Sequence, residues 1–226
     1  MSLPNLANLP GMPSHIIHLL NRLHAESSTQ EAKLTLDFHR PNYPDELRDK
    51  YFALDKDKAH FIYALCRATD ARTIVEAGTS HGVSTIYLAL AAAANAQASG
   101  PPARVITTEN VPPKAAAALQ NWKSCGEAVC SVIELRQGDV RETLQQETGE
   151  IDFLLLDIWV PVAFSVLKLL QPRLRRGAIV VVDSTARHCD DYAELLAHVR
   201  APESGFVTQT LPFRDGLEMM VYMPEG

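Results

Sequence analysis

The sequence predicts a three-layer α/β sandwich: a mostly parallel seven-stranded sheet with a C-terminal antiparallel hairpin, preceded by extra N-terminal helices. Three observations lead there. From Thr73 onward, short β-branched runs of strand length alternate with amphipathic stretches of helix length. Strands joined by such crossovers pair in parallel and are buried on both faces. The last two strand-like runs, Phe206–Leu211 and Leu217–Met223, enclose Asp215-Gly216, a turn signal that predicts an antiparallel pair. The length, 226 residues with 46% hydrophobic side chains, suits one sizeable core.

Taken in order, residues 1–54 read as a leader and a helical lid, and residues 55–226 as the sheet-containing part of the same structural unit. Pro4, Pro10 and Pro13 mark a loose leader. Ser14 is placed to cap a helix through Ile16, Ile17, Leu19, Leu20 and Leu23, whose spacings of three and four give one apolar face. His39–Pro44 is turn-like, and Asp55 or Asp57 opens a helix carrying Phe61, Ile62, Leu65 and Cys66. Strands are expected at Thr73–Glu76, Arg104–Thr108, Ser131–Arg136, Phe153–Leu156 and Ala178–Val182. Helices are expected at Ser84–Ala94, Pro113–Trp122, Arg141–Gln145, Ala163–Leu170 and Asp190–Arg200. Ala91–Pro102 reads as a helix end running into a loop insertion.

Charge narrows the function. A net charge of −6 and a pI near 5.7 argue against a basic surface for nucleic acid or an anionic membrane and favour a small molecule. No uncharged apolar run reaches the roughly 18–20 residues of a membrane helix, and Met1–Pro13 lacks the marks of a signal peptide. Cys66, Cys125, Cys130 and Cys189 show no redox or zinc spacing, so free thiols in a reducing cytoplasm are expected.

The chemistry gathers at strand ends. The first strand runs Thr73-Ile-Val-Glu-Ala into Gly78-Thr-Ser-His-Gly82, then a helix. Glycines there let a ligand approach the backbone, and the helix N-terminus offers free N–H groups. Ser80 stands where a dinucleotide fingerprint needs its second glycine, which disfavours a pyrophosphate. Glu109 ends the second strand beside that turn, where a carboxylate can accept both hydroxyls of a ribose. It lies 31 residues beyond Gly78, against about 20 for a nicotinamide enzyme, so that alternative is weak. Gly138-Asp139-Val140 follows the third strand, and Asp157 and Asp183 end the fourth and fifth.

Val75-Glu-Ala-Gly-Thr-Ser-His-Gly resembles motif I of the class I S-adenosylmethionine-dependent methyltransferases, in the variant of the catechol-type and caffeoyl-CoA-type small-molecule O-methyltransferases. Leu196-Ala-His-Val-Arg and Asp215-Gly-Leu-Glu resemble C-terminal stretches of catechol O-methyltransferase, so the likeness runs from about Lys58 to Met223. It implies a Rossmann-like sheet and S-adenosylmethionine as cofactor. By that resemblance Gly78, Ser80 and Gly82 face the methionine part. Glu76 and Ser84 hold its charged ends, Glu109 the ribose, and Asp139 and Val140 the adenine, with Trp159 beside the adenine or the substrate. In that family two aspartates and an asparagine hold a divalent metal. Asp157 and Asp183 are retained, but Ser184 replaces the asparagine, which leaves a magnesium requirement open. Val160 occupies the place of the family's catalytic lysine and cannot accept a proton. His188 and His81 are the candidate substitutes, so Asp157 and His188 are the expected catalytic pair.

The expected function is transfer of a methyl group to a hydroxyl or carboxyl of a small molecule. The alternative is a methyltransferase-like protein that binds the cofactor without transfer, for regulation or partner binding. A homodimer stays open, since relatives pair through exposed apolar helices.

Overall fold

A computed structural model describes residues 12–33, 48, 50–100 and 102–225. The expected leader up to residue 11 and the turn at His39–Pro44 lie outside them. The sheet has seven strands in the order β3-β2-β1-β4-β5-β7-β6. They are β1 Thr73–Ala77, β2 Arg104–Glu109, β3 Ile133–Gln137, β4 Ile151–Leu156, β5 Leu174–Asp183, β6 Phe206–Leu211 and β7 Leu217–Tyr222. The first five pair in parallel, and β7 inserts antiparallel between β5 and β6. The described helices are α1 Ser14–Glu31, α2 Lys56–Ala68, α3 Val83–Ser99, α4 Pro112–Cys125, α5 Glu127–Cys130, α6 Val140–Thr143, α7 Val160–Leu170 and α8 Ala193–Arg200.

Alternation along the strands divides the core. Ile74, Val105, Phe153, Leu155 and Val181 face the layer of α1 to α4, whereas Val75, Ile106, Leu154, Leu156 and Val180 face α7 and α8. Helix α3 is apolar nearly all round because it is covered on all sides: its Ile86, Leu88, Ala89, Ala91 and Ala92 are fully buried between the sheet, α2 and α4. The alanines let α2 approach closely through Ala59, Ile62 and Cys66. Helix α1 buries Ile16, Leu20 and Leu23 in the same cluster. Each such large side chain contributes roughly 1.5–3 kcal/mol, so α1 is part of the core layer and not a loose cover.

The boundaries differ from expectation at several ends: α3 runs on to Ser99, well into the stretch expected to be a loop, α7 begins at Val160 and α8 only at Ala193. Ser14 is the first helical residue and Pro13 holds the cap position, since the Pro13 carbonyl accepts the first intrahelical bonds. A short α5 occupies Glu127–Cys130, where Gly126 at φ +93° breaks α4, and this delays β3 to Ile133. Strand β5 starts at Leu174 instead of Ala178, with a register shift against β4 between Ile151 and Phe153. Among the described residues no helix is long and apolar enough to cross a membrane.

Candidate active site

The carboxyl ends of β1 to β5 open into one cavity of about 920 Å³, at the top of the range for small-molecule sites. Its base is the turn after β1. Gly78 (φ +99°), Ser80 (φ +48°) and Gly82 (φ +76°) bend it, and Gly82 N–H closes it onto the Thr79 carbonyl at 2.8 Å. A Cβ on Gly78 would lie 2.0 Å from the Asp157 carbonyl oxygen, so glycine lets the end of β4 close against the turn. Asp157 N–H donates to the Ala77 carbonyl at 3.0 Å, which sets Asp157 at the cavity floor.

Glu109 is fixed at both oxygens. Ser80 N–H donates to Oε2 and Val111 N–H to Oε1, each at 2.8 Å. The side chain lines the cavity with its remaining lone pairs toward it. Asp139 caps α6 by accepting from Arg141 N–H at 2.8 Å and pairs with the Arg141 guanidinium, which holds its carboxyl down at about 2. Gly78, Ser80, Glu109, Asp139, Val140, Asp157, Trp159, Asp183 and His188 all border the cavity.

Glu76, Gly82 and Ser84 do not. Glu76 faces the α3 side of the sheet, fully buried. Its carboxylate accepts from Ser84 Oγ and Thr85 Oγ1 at 2.5 Å and from Thr107 Oγ1 at 2.6 Å. Burial raises its pKa to about 7 against the pull of these three hydroxyls. This cluster ties β1, β2 and α3 together beneath the turn, so Glu76 and Ser84 brace the site without bordering it. Gly82 leaves room for Trp122, whose Nε1 donates to the Gly82 carbonyl at 3.0 Å. His81 is also off the cavity. It stacks on Tyr51 at 3.9 Å, and burial, then Lys114, push its pKa down to about 4.

The other end of the cavity holds a side chain that sequence reasoning missed. Lys58, on α2, is buried, with its Nζ 2.6 Å from Asp183 Oδ1 and 3.8 Å from Asp55 Oδ2. Ser184 Oγ donates to Asp183 Oδ2 at 2.8 Å. Both Asp183 oxygens therefore already accept a hydrogen bond. Asp157 and Asp183 sit close enough for burial and each other's charge to raise the Asp157 pKa, which Lys58 opposes. The signal for Lys58 was present: it lies four residues before Ile62 and eight before Cys66, on the buried face of an amphipathic helix, where a lysine needs an acid. His188 borders this end, and burial and the neighbouring Arg187 lower its pKa, which keeps the imidazole neutral near pH 7. At the mouth, Arg214 pairs with Asp55 at 2.7 Å and Glu31 at 3.7 Å, joining the β6–β7 turn to α1 and the start of α2.

The implied divalent metal does not fit this donor set. Asp183 is engaged by an ammonium and a hydroxyl, and a metal there would face the Lys58 charge directly. Among the described residues no group of three His, Cys, Asp or Glu side chains can hold an ion.

A protein named catechol O-methyltransferase from Mycobacterium tuberculosis is 32% identical over 136 residues, which cover 60% of this chain and 58% of the relative. The chain thus matches a little under three-fifths of the length of that relative. Among solved structures, cofactor-bound Rv0187 from MTB shares the fold at a TM-score of 0.69 and 24% identity, covering 92% of this chain and 91% of that one. The O-methyltransferase TomG from Streptomyces achromogenes, in complex with SAM, gives 0.67 at 20% identity, covering 90% and 98%. The model described as a methyltransferase domain matches residues 75–185, the stretch from β1 through β5 that carries Gly78, Glu109, Asp157 and Asp183. Residues 75–185 of this chain are thus similar to the methyltransferase domain family.

Proposed function

We propose that the chain is an S-adenosylmethionine-dependent methyltransferase acting on a hydroxyl or carboxyl of a small molecule. One observation carries the reading. A single cavity has at one end a carboxylate fixed at both oxygens beside a left-handed glycine turn, and at the other a compact acid–base group. Glu109 would accept the two ribose hydroxyls, the backbone of Gly78 and Ser80 would meet the amino-acid tail, and Asp139, Val140 and Trp159 would border the adenine. When bound, the cofactor supplies a methyl group on a positively charged sulfur.

This chain's residues then need to align and deprotonate the acceptor. The acceptor oxygen forms its bond to the methyl carbon as the carbon–sulfur bond breaks, and the sulfur leaves with the electron pair as a thioether. The hydroxyl proton goes to His188, neutral and at the same end of the cavity. Asp157 lies between the two halves. The walls of Phe52, Trp159 and Tyr192 suit an aromatic acceptor.

Calorimetric titration with S-adenosylmethionine and S-adenosylhomocysteine, followed by an acceptor screen, tests this. Micromolar binding with methyl transfer supports the proposal. Binding without transfer to any hydroxyl or carboxyl acceptor would favour the cofactor-binding, non-transferring alternative. No binding of either compound refutes both.

A further inference from the structure

We propose that the Lys58 ammonium is the fixed cation of this site in place of a divalent metal, and that it holds the ionised oxygen of a phenolic acceptor. This rests on the methyltransferase reading above. Lys58 and Asp183 are 125 residues apart in the chain, yet their Nζ and Oδ1 lie 2.6 Å apart, at the aspartate that the catechol-type resemblance assigns to a metal. The lysine side chain is only 2% exposed, so the charge is fixed by the fold and not by a mobile surface arm. Helix α2 supplies it from the layer packed on α3, with Ala59 and Ile62 buried beside it.

An ammonium carries three N–H donors. Asp183 takes one, and Asp55, at 3.8 Å, is beyond hydrogen-bond length. Lys58 borders the cavity, so its other donors can meet an oxygen bound there. Ser184 completes the arrangement by occupying Asp183 Oδ2, which keeps Oδ1 turned to the lysine.

The consequence for specificity follows from geometry. A metal ion coordinates two neighbouring oxygens at once and so selects vicinal diols. A single ammonium, already shared with Asp183, presents a point charge to one oxygen. The acceptor class is therefore an acidic phenol, with no requirement for a second adjacent hydroxyl. In transfer, that oxyanion attacks the methyl carbon, sulfur departs with the bonding pair, and Lys58 stays protonated throughout.

The test uses the full chain saturated with S-adenosylhomocysteine, with EDTA present, at a pH where half of free 4-nitrophenol is ionised. Absorbance distinguishes the phenolate from the phenol. The expected result is that the protein draws the probe into its phenolate form equally well with EDTA or with millimolar magnesium, and that 4-nitrocatechol has no advantage beyond its own acidity. Lys58→Met should weaken phenolate binding by about tenfold or more, leave S-adenosylhomocysteine affinity within about twofold, and regain part of the phenolate shift as Lys58→Arg. A magnesium requirement, a strict preference for the catechol, or a Met variant that binds phenolate like the wild type would overturn the proposal. The first two are read on the wild-type protein and hold even if the variants fail to fold. A protein that binds S-adenosylhomocysteine but shifts neither probe refutes the role of Lys58 and leaves the cofactor reading standing. One that binds no S-adenosylhomocysteine refutes the cofactor reading itself.

Discussion

Replacing Glu109 tests the cofactor half of the site most directly. Ser80 N–H and Val111 N–H hold the carboxylate from two sides, so it is preorganised to accept two ligand hydroxyls without rearranging. Hydrogen bonds to a charged partner contribute roughly 1.5–3 kcal/mol each. Glu109→Ala removes both, and water entering the vacated space recovers part, which leaves a loss of about 3 kcal/mol, or roughly 100-fold in affinity. Glu109→Gln keeps the shape but turns an amide N–H₂ toward one of the two backbone donors, so an intermediate loss of about 10-fold is expected. The structural cost is smaller. The two backbone N–H groups lie at the cavity edge, where Glu109 is 9% exposed, and water can reach them. The melting temperature should fall by only about 2–4 °C. Calorimetry with S-adenosylhomocysteine and a melting curve on each variant provide the check. An Ala variant that melts several degrees lower yet binds within about threefold of the wild type would show that Glu109 is only a brace between β1 and β2, and the ribose assignment would be wrong.

Three further outcomes follow from the same geometry. Gly82→Ala meets a left-handed backbone and puts a Cβ 2.3 Å from Trp122 Nε1. Strain and overpacking together should cost about 3 kcal/mol in urea denaturation, and an unchanged midpoint would contradict the packing described for Trp122. Glu76 has a folded-state pKa raised from 4.5 to about 7, so the folded state binds its proton more tightly than the unfolded chain does. Its contribution is full below about pH 4.5 and is lost as pH rises through 7, roughly 3 kcal/mol in all. Glu76→Gln should flatten that stability decline between about pH 4.5 and 7, and a variant with the wild-type slope would refute the assignment. Because the His188 pKa is lowered by burial first and by Arg187 second, the acidic limb of kcat/KM should fall below the ordinary histidine value of about 6.5. His188→Gln should remove that limb and about 100-fold of the rate; a pH–rate profile with the limb intact would exclude His188 as the base.

Much of this was legible in the sequence because it depends on local order. Buried parallel strands need β-branched runs, and β2, β4 and β5 end in or just before an acid at the same edge of the sheet, so Glu109, Asp157 and Asp183 are located by position alone. What stayed hidden depends on which sheet face a residue takes. Glu76 directly follows a strand residue and precedes the turn, yet the two-residue period sends it to the α3 side and away from the cavity. Ser84 follows it there. Lys58 stands out only as a lysine on the buried face of α2; its partner, 125 residues away, is not announced by anything near it in the chain. The loss of a lysine at Val160 therefore read as a missing group, while a buried lysine from another helix borders the same cavity.

The insertion of β7 between β5 and β6 sets an order of assembly. Ser184 N–H is held by the Gly216 carbonyl, and a Cβ on Gly216 would collide with Ala186, so the loop bearing Asp183 and Ser184 takes its shape only against the hairpin. During synthesis, the strands that carry the Glu109 end of the cavity emerge and can pair while β5 is still an open sheet edge. The Asp183 end waits for Leu217–Tyr222. A ribosome-bound chain halted short of those residues would have the Glu109 end of the cavity in place before the end that carries Asp183.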